Sequence, residues 1–196
     1  MVNKYFWMGI LAIALVFSVS GIELRADQFG DFEYSTRGAG RYRVVIITGY
    51  KGKGGSVVIP SVITGIPVTE IGYSAFSRST TISELTIPDS ILFIDTWAFG
   101  GCTGLKRITI PSKVINLERF AFANCTELER VILPEGIREI SMDAFFYCPK
   151  LSNINLPNSL LRVGEGAFAH CNSLPSNIRG ILTERFGEDV FLDNGM

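Results

Sequence analysis

The chain has 196 residues, 47% hydrophobic and 19% charged, which excludes a disordered or fibrous polypeptide and fits one domain or a repeat array. Eighteen Lys and Arg against 19 Asp and Glu give a net charge of −1, so the electrostatic footprint of a nucleic-acid binder is missing. At the front, Lys4 precedes an uncharged run of 18 residues, Tyr5 to Ile22. A basic start, an apolar run and a polar tail read as an export signal, with cleavage after Ser20 or after Ala26. Uncut, the run is just long enough to span a bilayer. Residues 1–26 are therefore expected to be a signal peptide or a membrane anchor, and membrane contact is expected only through residues 5–22 if they are not removed. Cleavage leaves 16 basic and 18 acidic residues.

Residues 27–66 are expected to form an N-terminal β cap. Within them, 42–48 (YRVVIIT) and 56–59 (SVVI) flank a Gly- and Lys-rich stretch, which is a hairpin signal. That stretch is not a phosphate loop, because Gly55 stands where the Lys after the second spaced glycine belongs.

A period of 23 then governs the chain. Ala-Phe pairs begin at Ala75, Ala98, Ala121, Ala144 and Ala167; Cys102, Cys125, Cys148 and Cys171 share one column, with Ser79 in the matching earlier slot. Pro88, Pro111, Pro134 and Pro157 form another. Leu128, Val131 and Leu133 have the L-x-x-L-x-L spacing of a turn followed by a strand, and the proline after it ends the ladder. Val114, Leu117, Ala121 and Phe122 suit a short helical turn or an irregular return arm. One unit cannot bury its own apolar side, so units must stack. The strands then pair in parallel and the Phe column becomes a spine whose end members should matter less than Phe122. Between Pro60 and Ala75 the first unit carries five extra residues, around Thr64 and Gly65.

The pattern I-P-x-x-V-x-x-I-x-x-x-A-F-x-x-C-x-x-L-x-x-I resembles the BspA-like, or treponemal-type, bacterial leucine-rich repeats over roughly residues 44–174. The resemblance implies a curved right-handed, β-rich repeat solenoid with a parallel concave sheet. It also implies a non-catalytic, exported or cell-surface protein acting in adhesion or protein binding, with a host or extracellular-matrix protein as partner. A membrane-anchored structural protein of the envelope is the alternative. Ser90, Lys113, Gly136 and Ser159 replace the Asn ladder of ordinary leucine-rich repeats.

The 23-residue repeats are expected over 67–174 and a helical cap over 175–196. Ser176 is the expected N-cap, Gly187 the stop, and Ile178, Ile181, Leu182 and Phe186 the buried face.

No cofactor is expected. The cysteines lack the C-x₂₋₄-C pairing of metal sites. Their stacking favours free buried thiols over the one reachable pairing, 102–125 with 148–171. His170 lies between Phe168 and Cys171 without a carboxylate at triad spacing. The expected binding face is the outward side of the concave strands: Ser56, Glu84, Arg107, Arg130 and Asn153 in one column, Val58, Thr86, Thr109, Ile132 and Asn155 in the next. Arg107 and Arg130 either receive an acidic partner or form a solvated face offset by Glu84 and Glu129. Phe146 and Tyr147 are an expected surface apolar pair, either a contact point or a gap filler.

Overall fold

A computed structural model describes residues 27–193; the expected signal or anchor, residues 1–26, and residues 194–196 lie outside the described residues. The chain opens with a hairpin of β1 (Asp27–Phe29) and β2 (Phe32–Arg37), and β2 pairs antiparallel with β3 (Val44–Tyr50). Next come β4 (Gly55–Val58), β5 (Val62–Ile63) and β6 (Ile66–Ile71).

The strands flanking the Gly-Lys loop do not form the expected hairpin. β3 pairs in parallel with β6, and β4 pairs in parallel with β7 (Ile82–Thr86), so the loop carries the chain from one sheet to the other. The antiparallel turns lie elsewhere: β1, β2 and β3 form a meander at the end of the stack, and β5–β6 a hairpin where the five-residue insertion was read. Thr64 and Gly65 link β5 to β6 with φ of 50° and 80°, the left-handed pair of a type I′ turn.

From here each unit contributes one short strand to each of two parallel stacks. The first holds the β4–β7 pair and, beside it as a separate three-stranded sheet, β9 (Arg107–Thr109), β11 (Arg130–Ile132) and β13 (Asn153–Ile154). The second continues from β6 through β8 (Phe93–Ile94), β10 (Asn116–Leu117), β12 (Glu139–Ile140) and β14 (Arg162–Val163). The stretch 114–117 is thus partly strand, and the curl around each Ala-Phe pair is a turn, not a helix.

That turn has its own ladder. Ser74, Phe76 and Arg78 donate their N–H groups to the Thr96, Ala98 and Gly100 carbonyls of the next unit, whereas Ala75, Ser77 and Ser79 donate back within their own. A helix would consume every amide internally. Left-handed residues bracketing Ala-Phe interrupt it: φ is positive at Ser74, Trp97, Phe120, Asp143 and Gly166, and again at Arg78, Gly101, Asn124, Tyr147 and His170. Each non-glycine in that conformation costs about 1–2 kcal/mol, and the inter-unit bonds offset it. Gly166 has a second reason to be glycine, because a Cβ there would collide with Asp143 Oδ1.

The Phe spine is as expected in the middle. Phe76, Phe99, Phe122, Phe145 and Phe168 are fully buried, with centroids of successive rings 5.1–5.5 Å apart. Phe76 is not an end member, however: Tyr50 stacks on it at 5.4 Å and Phe32 meets it edge-on at 6.3 Å. The missing Asn ladder is replaced by the proline corner, where the Pro88, Pro111, Pro134 and Pro157 carbonyls accept the N–H three residues on, each at 3.1 Å. The Ser90 and Ser159 hydroxyls are buried there without a partner among the described residues.

At the far end α1 (Ser176–Phe186) and a 3-10 turn, Glu188–Phe191, close the stack. Pro175 is the N-cap, with no side-chain cap bond, so Ser176 is the first helical residue and not the cap. Gly187 ends the helix at φ 91°, as expected. Leu182 is buried and Ile178 and Phe186 pack on the core, but Ile181 faces solvent. The 3-10 turn stands in for the next unit, since the Asp189 and Val190 carbonyls accept the N–H groups of Gly166 and Phe168.

Candidate binding surface

Side chains alternate along a strand, so burying Ile108, Val131 and Ile154 turns their neighbours outward. The register is the one the repeat implies: Ser56 faces Glu84 and Val58 faces Thr86, while Arg107, Arg130 and Asn153 align, as do Thr109 and Ile132. All of these are exposed. Val58 and Ile132 leave 63% and 44% of their surface open, giving the face two apolar points. Arg107 and Arg130 sit side by side, and neither forms an ion pair among the described residues; Glu84 and Glu129 do not offset them by contact.

Asn155 is the exception. Its Nδ2 donates to the Leu133 carbonyl and its Oδ1 accepts from the Leu133 N–H, both at 2.8 Å, so it clamps the neighbouring unit's backbone.

The opposite stack carries a groove of about 390 Å³ lined by Phe93, Ile115, Glu70, Asp95 and Glu118. Burial, then Asp95 and Glu139, push the Glu118 carboxyl above the usual range.

On the lateral turn face, the expected surface pair splits. Phe146 is 9% exposed and joins Phe120, Ala123 and Ala169 in a second apolar cluster, filling a gap, while Tyr147 stays on the surface. Trp97 packs on that cluster, its ring 4.5 Å from Phe120 and nearly parallel. The cluster draws on two columns, two residues before each spine Phe (Ser74, Trp97, Phe120, Asp143, Gly166) and directly after it (Ser77, Gly100, Ala123, Phe146, Ala169), whose mixed chemistry gives no periodic signal. Asp143 is buried, and burial raises its carboxyl above the usual range although Arg119 lies 3.8 Å away.

The cysteines are free and buried. Each S–H donates to the Phe carbonyl of the preceding unit, Cys102 to Phe76, Cys125 to Phe99, Cys148 to Phe122 and Cys171 to Phe145, at 3.1–3.3 Å. Burial pushes Cys102 up to about 12 and raises Cys125 and Cys148 as well. Thiols held as protonated donors are poor nucleophiles and poor metal ligands.

His170 does meet a carboxylate, Asp193 Oδ2 at 2.9 Å, and lies edge-on to Phe146. The neighbouring thiol of Cys171 points away into the core, so the His–Asp pair ties the chain end to the last turn. Among the described residues no group of His, Cys, Asp and Glu could hold a metal, and no helix is long and apolar enough to cross a membrane.

Two parallel stacks, a Phe spine and a proline-cornered unit of 23 residues define a leucine-rich-repeat solenoid. The chain belongs to the BspA-type leucine-rich-repeat family, whose repeat region it matches in six copies over residues 57–195.

Its fold is similar to that of the leucine-rich repeat protein TpLRR of T. pallidum (23% identity, TM-score 0.54), the match covering 82% of this chain and 95% of that one. A leucine-rich cell surface protein of Faecalibacterium prausnitzii is 25% identical with a TM-score of 0.55, over 76% of this chain and 53% of that one. The pneumococcal vaccine antigen PcpA is 22% identical with a TM-score of 0.52, over 74% and 42%. The chain thus spans nearly all of the first of these and about half or less of the other two. No curated protein gives a significant match. Leucine-rich-repeat proteins generally bind protein partners, and their fold is typically non-catalytic.

Proposed function

We propose that the chain is an exported, non-catalytic binding module whose partner, a host or extracellular-matrix protein, docks an acidic surface on the strand face. The observation that carries this reading is the pair Arg107 and Arg130, adjacent in register and without an ion pair among the described residues. Like charges directly opposite on neighbouring strands repel, so the free protein holds an unfavourable arrangement that a partner's carboxylates relieve. Bidentate Arg–carboxylate bonds then give geometry as well as attraction. Glu84, Thr86, Thr109 and Asn153 supply a polar surround, and Val58 and Ile132 the apolar contacts.

The test is biolayer interferometry against purified extracellular-matrix proteins at two salt concentrations. Arg107→Glu/Arg130→Glu should weaken binding at least about tenfold and flatten its salt dependence, whereas Arg162→Glu on the other sheet should change it little. Binding unaffected by the double reversal moves the site off this face; a panel with no binder removes the matrix-protein partner.

Export rests on residues 1–26. Amino-terminal sequencing of the protein from the surface fraction should begin near Gly21 or Asp27. An intact Met1 in the inner membrane would instead favour the anchored envelope protein.

A further inference from the structure

The aromatic ladder on the lateral face stops one rung early. Phe120 and Trp97 stack at 4.5 Å, but the equivalent position one unit back is Ser74. The space a third ring would fill is an open groove of about 530 Å³ between Trp97, Ser74 and Ser77, walled by Tyr73, Arg78 and Asn124. Gly100 makes it possible: any Cβ there would run into the benzene half of the indole, so only glycine lets Trp97 come this close to the turn. In the later units this position is Ala123, Phe146 and Ala169, and the slot is closed.

We infer that this groove binds the pyranose ring of an acidic sugar, a uronic acid being the simplest example. One face of such a ring is a patch of C–H groups that can stack on the half-buried Trp97 from the Ser74 side, away from Phe120. Its edge is a rim of hydroxyls that need donors and acceptors at the wall. Ser77 Oγ is already bonded to the Gly100 carbonyl at 3.2 Å. Among the described residues the Tyr73 hydroxyl, Ser74 hydroxyl and Asn124 amide make no hydrogen bond, and Tyr73 is 66% exposed.

Arg78 lies along the wall, its Cγ above Gly101, and forms no ion pair among the described residues. A planar guanidinium beside a stacked ring fits a carboxylate on that ring. A protein's aromatic side chain is the poorer fit, since it would bury these polar groups without partners. A nucleotide is disfavoured by the lack of further cations at the groove.

Trp97 makes the site self-reporting, as the one tryptophan among the described residues. Tryptophan fluorescence of the full chain should change saturably with glucuronate or galacturonate, at an order of about 1 mM, and about tenfold more weakly with glucose or galactose. Ser74→Phe fills the slot with the residue the fold itself uses at Phe120, in the same left-handed conformation (φ 54° and 57°). It should leave the melting temperature no lower and weaken the acidic sugars at least about tenfold.

Arg78→Gln should erase the preference for the carboxylate while keeping the neutral sugars. Silence with all four sugars, unchanged binding in Ser74→Phe, or saturation by tyrosinamide or adenosine in their place would each overturn the assignment. Equal affinity for the charged and neutral sugars overturns the acidic class.

Discussion

Phe122→Ala should destabilise the protein by about 3–5 kcal/mol in equilibrium denaturant melts, because a fully buried ring is lost from the middle of a close-packed stack that cannot collapse around the hole. Phe122 is 0% exposed, with ring neighbours 5.1 Å away on one side and 5.5 Å on the other. The revealing comparison is Phe76→Ala. Counting repeats puts Phe76 at the end of the spine, where the loss should be smaller. The structure puts Tyr50 and Phe32 beyond it, so the two losses should agree within about 1 kcal/mol. A loss at Phe76 below half that at Phe122 would mean that the N-terminal strands do not continue the core. Less than about 1.5 kcal/mol at Phe122 itself would remove the spine as a source of stability.

The second large effect is alkaline unfolding. Buried in the solenoid, Cys102, Cys125 and Cys148 hold their protons at pH values where the same thiols in the unfolded chain, near 9.0, have lost them. The folded pKa is the higher one. The stabilisation is therefore complete below pH 9 and declines as pH rises through the window from 9 towards about 12, the value for Cys102.

Each thiol contributes up to about 1.4 kcal/mol per pH unit, and three together approach about 4 kcal/mol per pH unit. That is enough to unfold a domain of ordinary stability within a few units. Denaturant melts at a series of pH values measure the slope directly. Cys102→Ser, which copies the natural Ser79 of the first unit, should reduce the slope by one thiol's share. A stability that is flat from pH 9 to 10.5 would show that the thiols are not sealed from water.

Most of the solenoid was legible because its information is columnar. Once Ala-Phe, Cys, Pro and Leu repeat at one spacing, register follows: Arg130 must lie beside Arg107 and Ile132 beside Thr109. The strand face could therefore be named residue by residue. The ends could not, because strand pairing there is a choice of partner and not of pattern. The alternation in YRVVIIT is the same whether Val44–Tyr50 pairs across the Gly-Lys loop or with β2 and β6.

Asn155 was missed as a clamp because it breaks no column; its neighbours Thr109 and Ile132 make no such bond. For Phe146 the sequence left contact point and gap filler both open, and its burial selects the gap filler. An aromatic in a small-residue slot looks exposed until one knows that Ala169 and Ala123 leave room beside it. The truncated ladder at Ser74 needs both the stacking of Trp97 on Phe120 and the glycine beneath it, neither of which has a sequence period.

The ladders that tie units together, through the strand stacks (the first interrupted between β7 and β9) and through the left-handed turns, make chain length effectively quantised. A single inserted or deleted residue within a ladder would shift every later donor off its acceptor and turn buried side chains outward. Loss or gain of a whole unit of 23 leaves every contact type intact. The exception is written into the first unit, whose five surplus residues are set aside in the β5–β6 hairpin between two ladders. A gene for such a protein can lengthen or shorten by copying units, and can vary within a unit chiefly at that corner.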